Sequence, residues 1–230
     1  MRIGFGIVRV VMAVLTIVAI VAQFVHSANF TRADGGDVGF FAVNFFSFFT
    51  IESNVGYVVV LLIGAWFMFT RSGADPEWFS ILRAVITTYM VTTGIVYNLL
   101  LRNIPLPQGR TLEWSNEILH VVGPIYLLLD WLFAPGRTQL RTNVLWWIAS
   151  FPIVWALYTL IRGPLAIDKL TGRPWYPYPF MNPATSANGY LSVSFYVLLI
   201  AAVILCVGFV ILWISRRWPG RSAVAAVETA

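Results

Sequence analysis

The chain has 230 residues, of which 59% are apolar and 11% charged, with a net charge of +5; its mean hydropathy is +0.78. A soluble domain carries about 45–50% apolar and about 25% charged residues, so too little polar surface remains here to clothe a water-exposed globule, and disorder, which needs low hydrophobicity, is excluded as well. One cysteine, Cys206, rules out an intramolecular disulfide framework and a cysteine-rich metal site, and no basic run extends beyond Arg216-Arg217, which argues against a nucleic-acid partner.

Crossing a bilayer as a helix takes about 20 mostly apolar residues. In chain order, such runs cover 3–25, 45–69, 81–101, 118–133, 144–161 and 190–214. They predict an all-α, polytopic membrane protein, a single six-helix transmembrane bundle over 1–221, with a tail at 222–230 expected to be disordered. The first run also resembles a secretory signal, with Arg2 before it and small residues near Ser27. Its apolar part exceeds the roughly 7–15 residues of a signal's core, which favours a retained span. The fourth and fifth runs are short and carry Pro124 and Pro152. Prolines there are expected to kink helices inside the bundle, where neighbours satisfy the freed carbonyls. His26 reads as a boundary residue and Cys206 as a packing residue of the last span.

Orientation follows from Lys and Arg in short connections. Arg2, Arg71, Arg137, Arg141, Arg216, Arg217 and Arg221 sit in the tighter set, which places both termini in the cytoplasm of a multi-pass cell-membrane protein. The longest connection, Arg162 to Gly189, then faces outward and contains a run of prolines and aromatics, Arg173 to Phe180, suited to a rigid cap at the headgroup level.

Ionisable groups within spans raise a functional expectation, because burying them in lipid is costly. Arg9, Glu52, Arg83, Glu117, His120 and Asp130 are such groups. Thr50, Glu52, Ser53 and Asn54 open the second span, and Asn116, Glu117 and His120 open the fourth. Asn98 and Arg102 end the third, and Tyr158 and Arg162 end the fifth. Four helices thus bring polar groups to one depth, whichever way the bundle is inserted. Thr50 and Asn54 share a helix face, as do Glu117 and His120. Asp130 lies ten residues past His120, about 15 Å along the axis, so it is expected to pair with Arg83, Arg137 or Arg141 instead. Glu117-x-x-His120 matches half of a di-iron motif, but that site needs two copies, so no metal and no cofactor is expected. No phosphate loop, Gly-x-Ser-x-Gly elbow or His-Glu-x-x-His motif occurs.

Phe48-Phe-Thr-Ile-Glu-Ser-Asn54, Glu117-Ile-Leu-His-Val-Val-Gly-Pro124, Leu127-Leu-Leu-Asp-Trp-Leu-Phe133, Tyr158-Thr-Leu-Ile-Arg-Gly163 and Trp175-Tyr-Pro-Tyr-Pro-Phe180 together resemble the prokaryotic six-span membrane proteins called the Pr6Pr family. That family is similar to the eukaryotic androgen-induced-gene and androgen-dependent tissue-factor-pathway-inhibitor-regulating proteins, which hydrolyse fatty-acid esters of hydroxy fatty acids with a membrane threonine and a histidine. The resemblance implies Thr50 as nucleophile and His120 as base, with Asp130 matching an acid near the end of the fourth helix. Here Glu117 and Leu119 flank a lone His120, where the eukaryotic proteins have a histidine-rich approach. An activated threonine needs a base, and Glu52 or Glu117 is expected to orient the imidazole. Asn54, Asn98 or Tyr158 is expected to donate to the oxyanion, and Arg102 or Arg162 to hold a substrate carboxylate. The expected partners are the bilayer and an acyl-chain substrate. The alternative is a non-enzymatic lipid-binding or transport protein, and a third reading makes the polar layer internal glue.

Overall fold

The computed structural model describes residues 1–104 and 110–218. The expected tail, 222–230, lies outside the described residues. Among the described residues eight α-helices follow in order: α1 (Arg2–Ala33), α2 (Val38–Phe46), α3 (Phe49–Thr70), α4 (Glu77–Val96), α5 (Glu113–Glu117), α6 (Gly123–Phe133), α7 (Val144–Arg162) and α8 (Tyr190–Arg217). Two wide π turns interrupt this order. Tyr97–Leu101 prolongs α4, and Ile118–Val122 joins α5 to α6.

The fold is all-α, and among the described residues five helices are long and apolar enough to cross a membrane: α1, α3, α4 continued to Leu101, α7 continued to Leu165, and α8. In their most apolar stretches α7 and α8 bury only 22% and 28% of residues inside the bundle. Ile153, Leu157, Leu198 and Phe209 point outward. An apolar coat of this extent is compatible with a multi-pass membrane protein. Cys206 also lies exposed on α8 rather than packed in the bundle. The fourth expected run falls within a helical stretch that starts earlier, at Glu113, and changes pitch midway. The second expected run is split, because Ser47 and Phe48 separate α2 from α3.

One end of the bundle gathers the start of α1, the α3–α4 turn, the α6–α7 turn and the end of α8. Arg2 donates to the Gly73 carbonyl at 3.0 Å, the Asp75 amide to Gly136 at 2.8 Å, and Arg137 to the carbonyls of Trp131 and Trp218. Just inside this end lies a buried ion cluster. Asp130 receives Arg9 in a two-pronged contact, both bonds 2.9 Å, and Arg83 at 2.8 Å. Arg83 is one of the three partners expected for Asp130. Arg9, 121 positions away, is the other partner, and Arg137 turns to carbonyls instead. Arg9 reaches Asp130 by crossing α3 at Gly64, where a Cβ would stand 2.5 Å from its Nη1.

The prolines behave as membrane helices require. Pro152 has no N–H for the Ile148 carbonyl one turn back. The Tyr89 hydroxyl of α4 donates to that carbonyl at 2.9 Å. In the wide turn before α6, Leu119 stands five residues ahead of Pro124 and also lacks an N–H partner. The Asn54 amide of α3 donates to it at 3.1 Å. At the opposite end from the ion cluster, the connection after α7 folds over the bundle as a cap. A single bridge between Ile167 and Pro174 and 3-10 turns at Pro179–Met181 and Pro183–Thr185 shape it.

Candidate active site

Thr50 is the second residue of α3. The residue that opens this helix, Phe48, supplies no side-chain cap, so the first amides of the helix lack intrahelical partners. The cap fills one of these vacancies. The Tyr178 phenol oxygen accepts the Thr50 N–H at 3.2 Å and lies 3.2 Å from Thr50 Oγ1. The threonine hydroxyl thus sits at the positive end of a 22-residue helix, where negative charge is favoured.

His120 lies in the middle of the π turn Ile118–Val122, a distortion common at functional sites. Its Nδ1 is 2.9 Å from the Asn116 carbonyl. A carbonyl only accepts, so Nδ1 carries the proton and Nε2 keeps its lone pair. The ring stacks on Tyr97, 4.1 Å between centroids, and the Asn116 amide donates to the Tyr97 hydroxyl at 2.5 Å. A backbone carbonyl and an aromatic face therefore orient the imidazole. Neither Glu52 nor Glu117 hydrogen-bonds it; Glu117 pairs with Arg102 instead. Asn54 ties the two halves together, its amide donating both to the Thr50 carbonyl at 2.9 Å and to the carbonyl of Leu119.

Two cavities meet at Thr50. One, of about 190 Å³, is almost wholly apolar and lies among α3, α4, α7 and α8, lined by residues such as Val96, Pro152, Ala156, Val197 and Ile204. The other, of about 490 Å³, has phenylalanine walls from α2 and a polar mouth of Asp34, Asp37, Arg110 and Asp168. Thr50 and Tyr178 line both, and His120 lines the second. Thr50 and His120 thus face one cavity, without a direct hydrogen bond between them. At the mouth, Asp37 begins α2 and accepts the Phe40 N–H at 3.0 Å, which holds its carboxyl below the ordinary carboxylate range.

The other expected residues are placed around this centre. Glu52 opens onto a separate groove of about 790 Å³ beside Trp78 and Trp147. Arg102 binds Glu117 at 2.5 Å and Asn98 at 2.6 Å on the exposed rim, and Asn98 donates to the Gly94 carbonyl. Tyr158 shares a hydrogen bond with Ser47 at 2.9 Å. Arg162 donates to Asn44 at 2.7 Å with its guanidinium 5.3 Å from the Trp175 ring centre. It braces the cavity wall without lining the cavity. The residue that sequence reasoning missed is Tyr178. Its only signal in the sequence is the aromatic run after Arg173, whose composition suits a cap at the membrane edge. No protein-family model, no curated protein and no solved structure matches this chain.

Proposed function

We propose that this protein is an integral membrane hydrolase of lipid esters, with Thr50 as nucleophile and His120 as base. The observation that carries the reading is the position of Thr50 at the junction of an apolar cavity and a polar-mouthed one. An ester whose acyl chain fills the first cavity presents its carbonyl at the threonine hydroxyl, and its alcohol part extends towards the second.

The chemistry follows. Thr50 Oγ1 attacks the ester carbonyl carbon and its proton passes to His120 Nε2, through one bridging water or after closure around the substrate. The imidazolium then protonates the leaving alcohol as the ester bond breaks. Water, deprotonated by His120, hydrolyses the acyl-threonine and releases a carboxylic acid. No cofactor enters this scheme. Fatty-acid esters of hydroxy fatty acids are the substrate class that the Pr6Pr resemblance brings. The same reading takes the helical stretch Glu113–Phe133 as a sixth span. It also places both termini in the cytoplasm and the Thr50 end outside, in accord with arginines at the termini end.

The test uses purified protein in detergent with a medium-chain aryl ester and a fluorophosphonate probe. Wild type is expected to turn over the ester and label, and Thr50→Ala and His120→Ala to lose both by at least about 10³-fold while staying folded. Unchanged turnover in either variant removes that residue from the mechanism. A wild type that retains lipid stoichiometrically but turns over no ester in a broad panel would establish the lipid-binding alternative.

A further inference from the structure

We propose that Tyr178 is a third catalytic group of this site, its hydroxyl donating to the oxyanion formed when Thr50 attacks an ester. The inference rests on the hydrolase reading above and extends it to a residue of the cap.

A tetrahedral intermediate at Thr50 needs a donor beside the carbon bonded to Oγ1. The expected amide and hydroxyl donors are engaged elsewhere. Asn54 spends its amide on two backbone carbonyls, Asn98 gives its own to Gly94 on the rim, and Tyr158 pairs with Ser47. Among the described residues, Tyr178 is the donor found within hydrogen-bond reach of the nucleophilic oxygen. Its phenol oxygen already accepts the Thr50 N–H and lies 3.2 Å from Oγ1, where either hydroxyl can be the donor. When Oγ1 bonds to carbon, the developing oxyanion stands two bonds from Oγ1, on that carbon. Rotation about the phenol C–O bond then aims its O–H at the oxyanion without a change of side-chain rotamer.

Preorganisation is what gives such a donor its effect, and Tyr178 is held firmly. It stacks on Phe180 at 5.1 Å, meets Phe48 edge-on at 5.5 Å and lies 5.9 Å from Trp155. Pro177 and Pro179 restrict the backbone on either side. Burial pushes the phenol up to about 12, so it keeps its proton through the whole neutral range. Because it borders both cavities, it reaches the carbonyl of an ester lying across the junction.

The decisive variant is Tyr178→Phe in the full chain, which keeps the ring contacts and removes only the hydroxyl. The expected result is a fall in kcat of about 10²–10³-fold, with KM within a few-fold and a modestly lowered thermal midpoint, because the Thr50 N–H loses its acceptor. If Tyr178→Phe keeps its kcat while Thr50→Ala is dead, Tyr178 is not the oxyanion donor and the hydrolase reading survives. A rise in KM at constant kcat overturns the inference in the same way, because it reports binding by the cap alone. An active Thr50→Ala removes the hydrolase reading and this inference with it. Should Tyr178→Phe fail to fold, difluorotyrosine at 178 supplies the second measurement. Its more acidic phenol is expected to bring the alkaline loss of kcat to lower pH, and an unshifted profile would overturn the proposal.

Discussion

An asparagine amide has two N–H donors, and at Asn54 each serves a different helix. One bond stays within α3, at the Thr50 carbonyl, and the other crosses to the Leu119 carbonyl, left without a partner by Pro124. That crossing bond sits one residue from His120, so it sets the position of the base against the nucleophile. Asn54→Leu strands the buried Leu119 carbonyl, which costs about 1–3 kcal/mol. The expected outcome is a lowered thermal midpoint together with a kcat loss larger than the folded fraction explains, read from midpoint and turnover on the same preparation. Thr50, Asn54 and His120 were legible in the sequence because polar side chains within apolar runs stand out and helical spacing assigns their depth. Tyr178 was not, since it belongs to an irregular connection where no periodicity gives a side chain's direction. The orienting group of His120 was hidden for a related reason: a carboxylate is visible in a sequence, whereas the Asn116 carbonyl that does the work is a backbone atom.

At the scale of the element, the two proline-bearing stretches are solved alike, by a side chain of a neighbouring helix. For α7 the partner is Tyr89, whose hydroxyl donates to Ile148 at 2.9 Å. Tyr89→Phe keeps the ring against Phe49 and Phe151 but leaves the carbonyl bare, at an expected cost of about 1–2 kcal/mol. Pro152→Ala returns a backbone N–H to the same carbonyl. In that background Tyr89→Phe is expected to cost almost nothing, and a double-mutant cycle on thermal midpoints reads the difference. Equal costs in the two backgrounds would show that the hydroxyl does not stand in for the missing amide. The apolar runs located the long helices well but not their ends. A helix continues as long as its amides find carbonyls, so α1 runs on through Gln23, His26 and Asn29 to Ala33, past the point where the residues cease to be apolar. The break between α2 and α3 was invisible for the opposite reason, since Ser47 and Phe48 do not interrupt hydrophobicity. That break supplies the helix start on which Thr50 depends.

Across the whole molecule, function and cohesion are separated by depth. The candidate site lies under the cap, and the ion cluster lies at the end that holds the termini. Asp130 is enclosed by Arg9 and Arg83 with good geometry, so three helices, α1, α4 and α6, converge on one carboxylate. Asp130→Asn preserves the shape and leaves two buried guanidinium groups short of a counter-charge. Breaking a buried pair in this way costs about 3–5 kcal/mol, whereas the exposed Arg102–Glu117 pair is worth under about 1 kcal/mol. Asp75, in the α3–α4 turn, is the contrasting case. It lies 3.9 Å from both Arg2 and Arg83, and its carboxylate oxygens are buried without a hydrogen bond. Burial raises its carboxyl above the ordinary 3.8, and the pull of Arg83, Arg9 and Arg2 does not cancel it. The folded state therefore binds this proton more tightly than the unfolded chain does. Stability falls as pH rises from 3.8 through the raised value, and above that value the native protein carries the cost of the ionised form. Asp75→Asn carries none of it. The expected outcome at pH 7 is a thermal midpoint equal to or above that of wild type, with the advantage shrinking as the pH is lowered towards 4. Asp130→Asn under the same conditions is expected to lose most of its stability. A strongly destabilised Asp75→Asn at pH 7 would place Asp75 among the carboxylates that hold the bundle together.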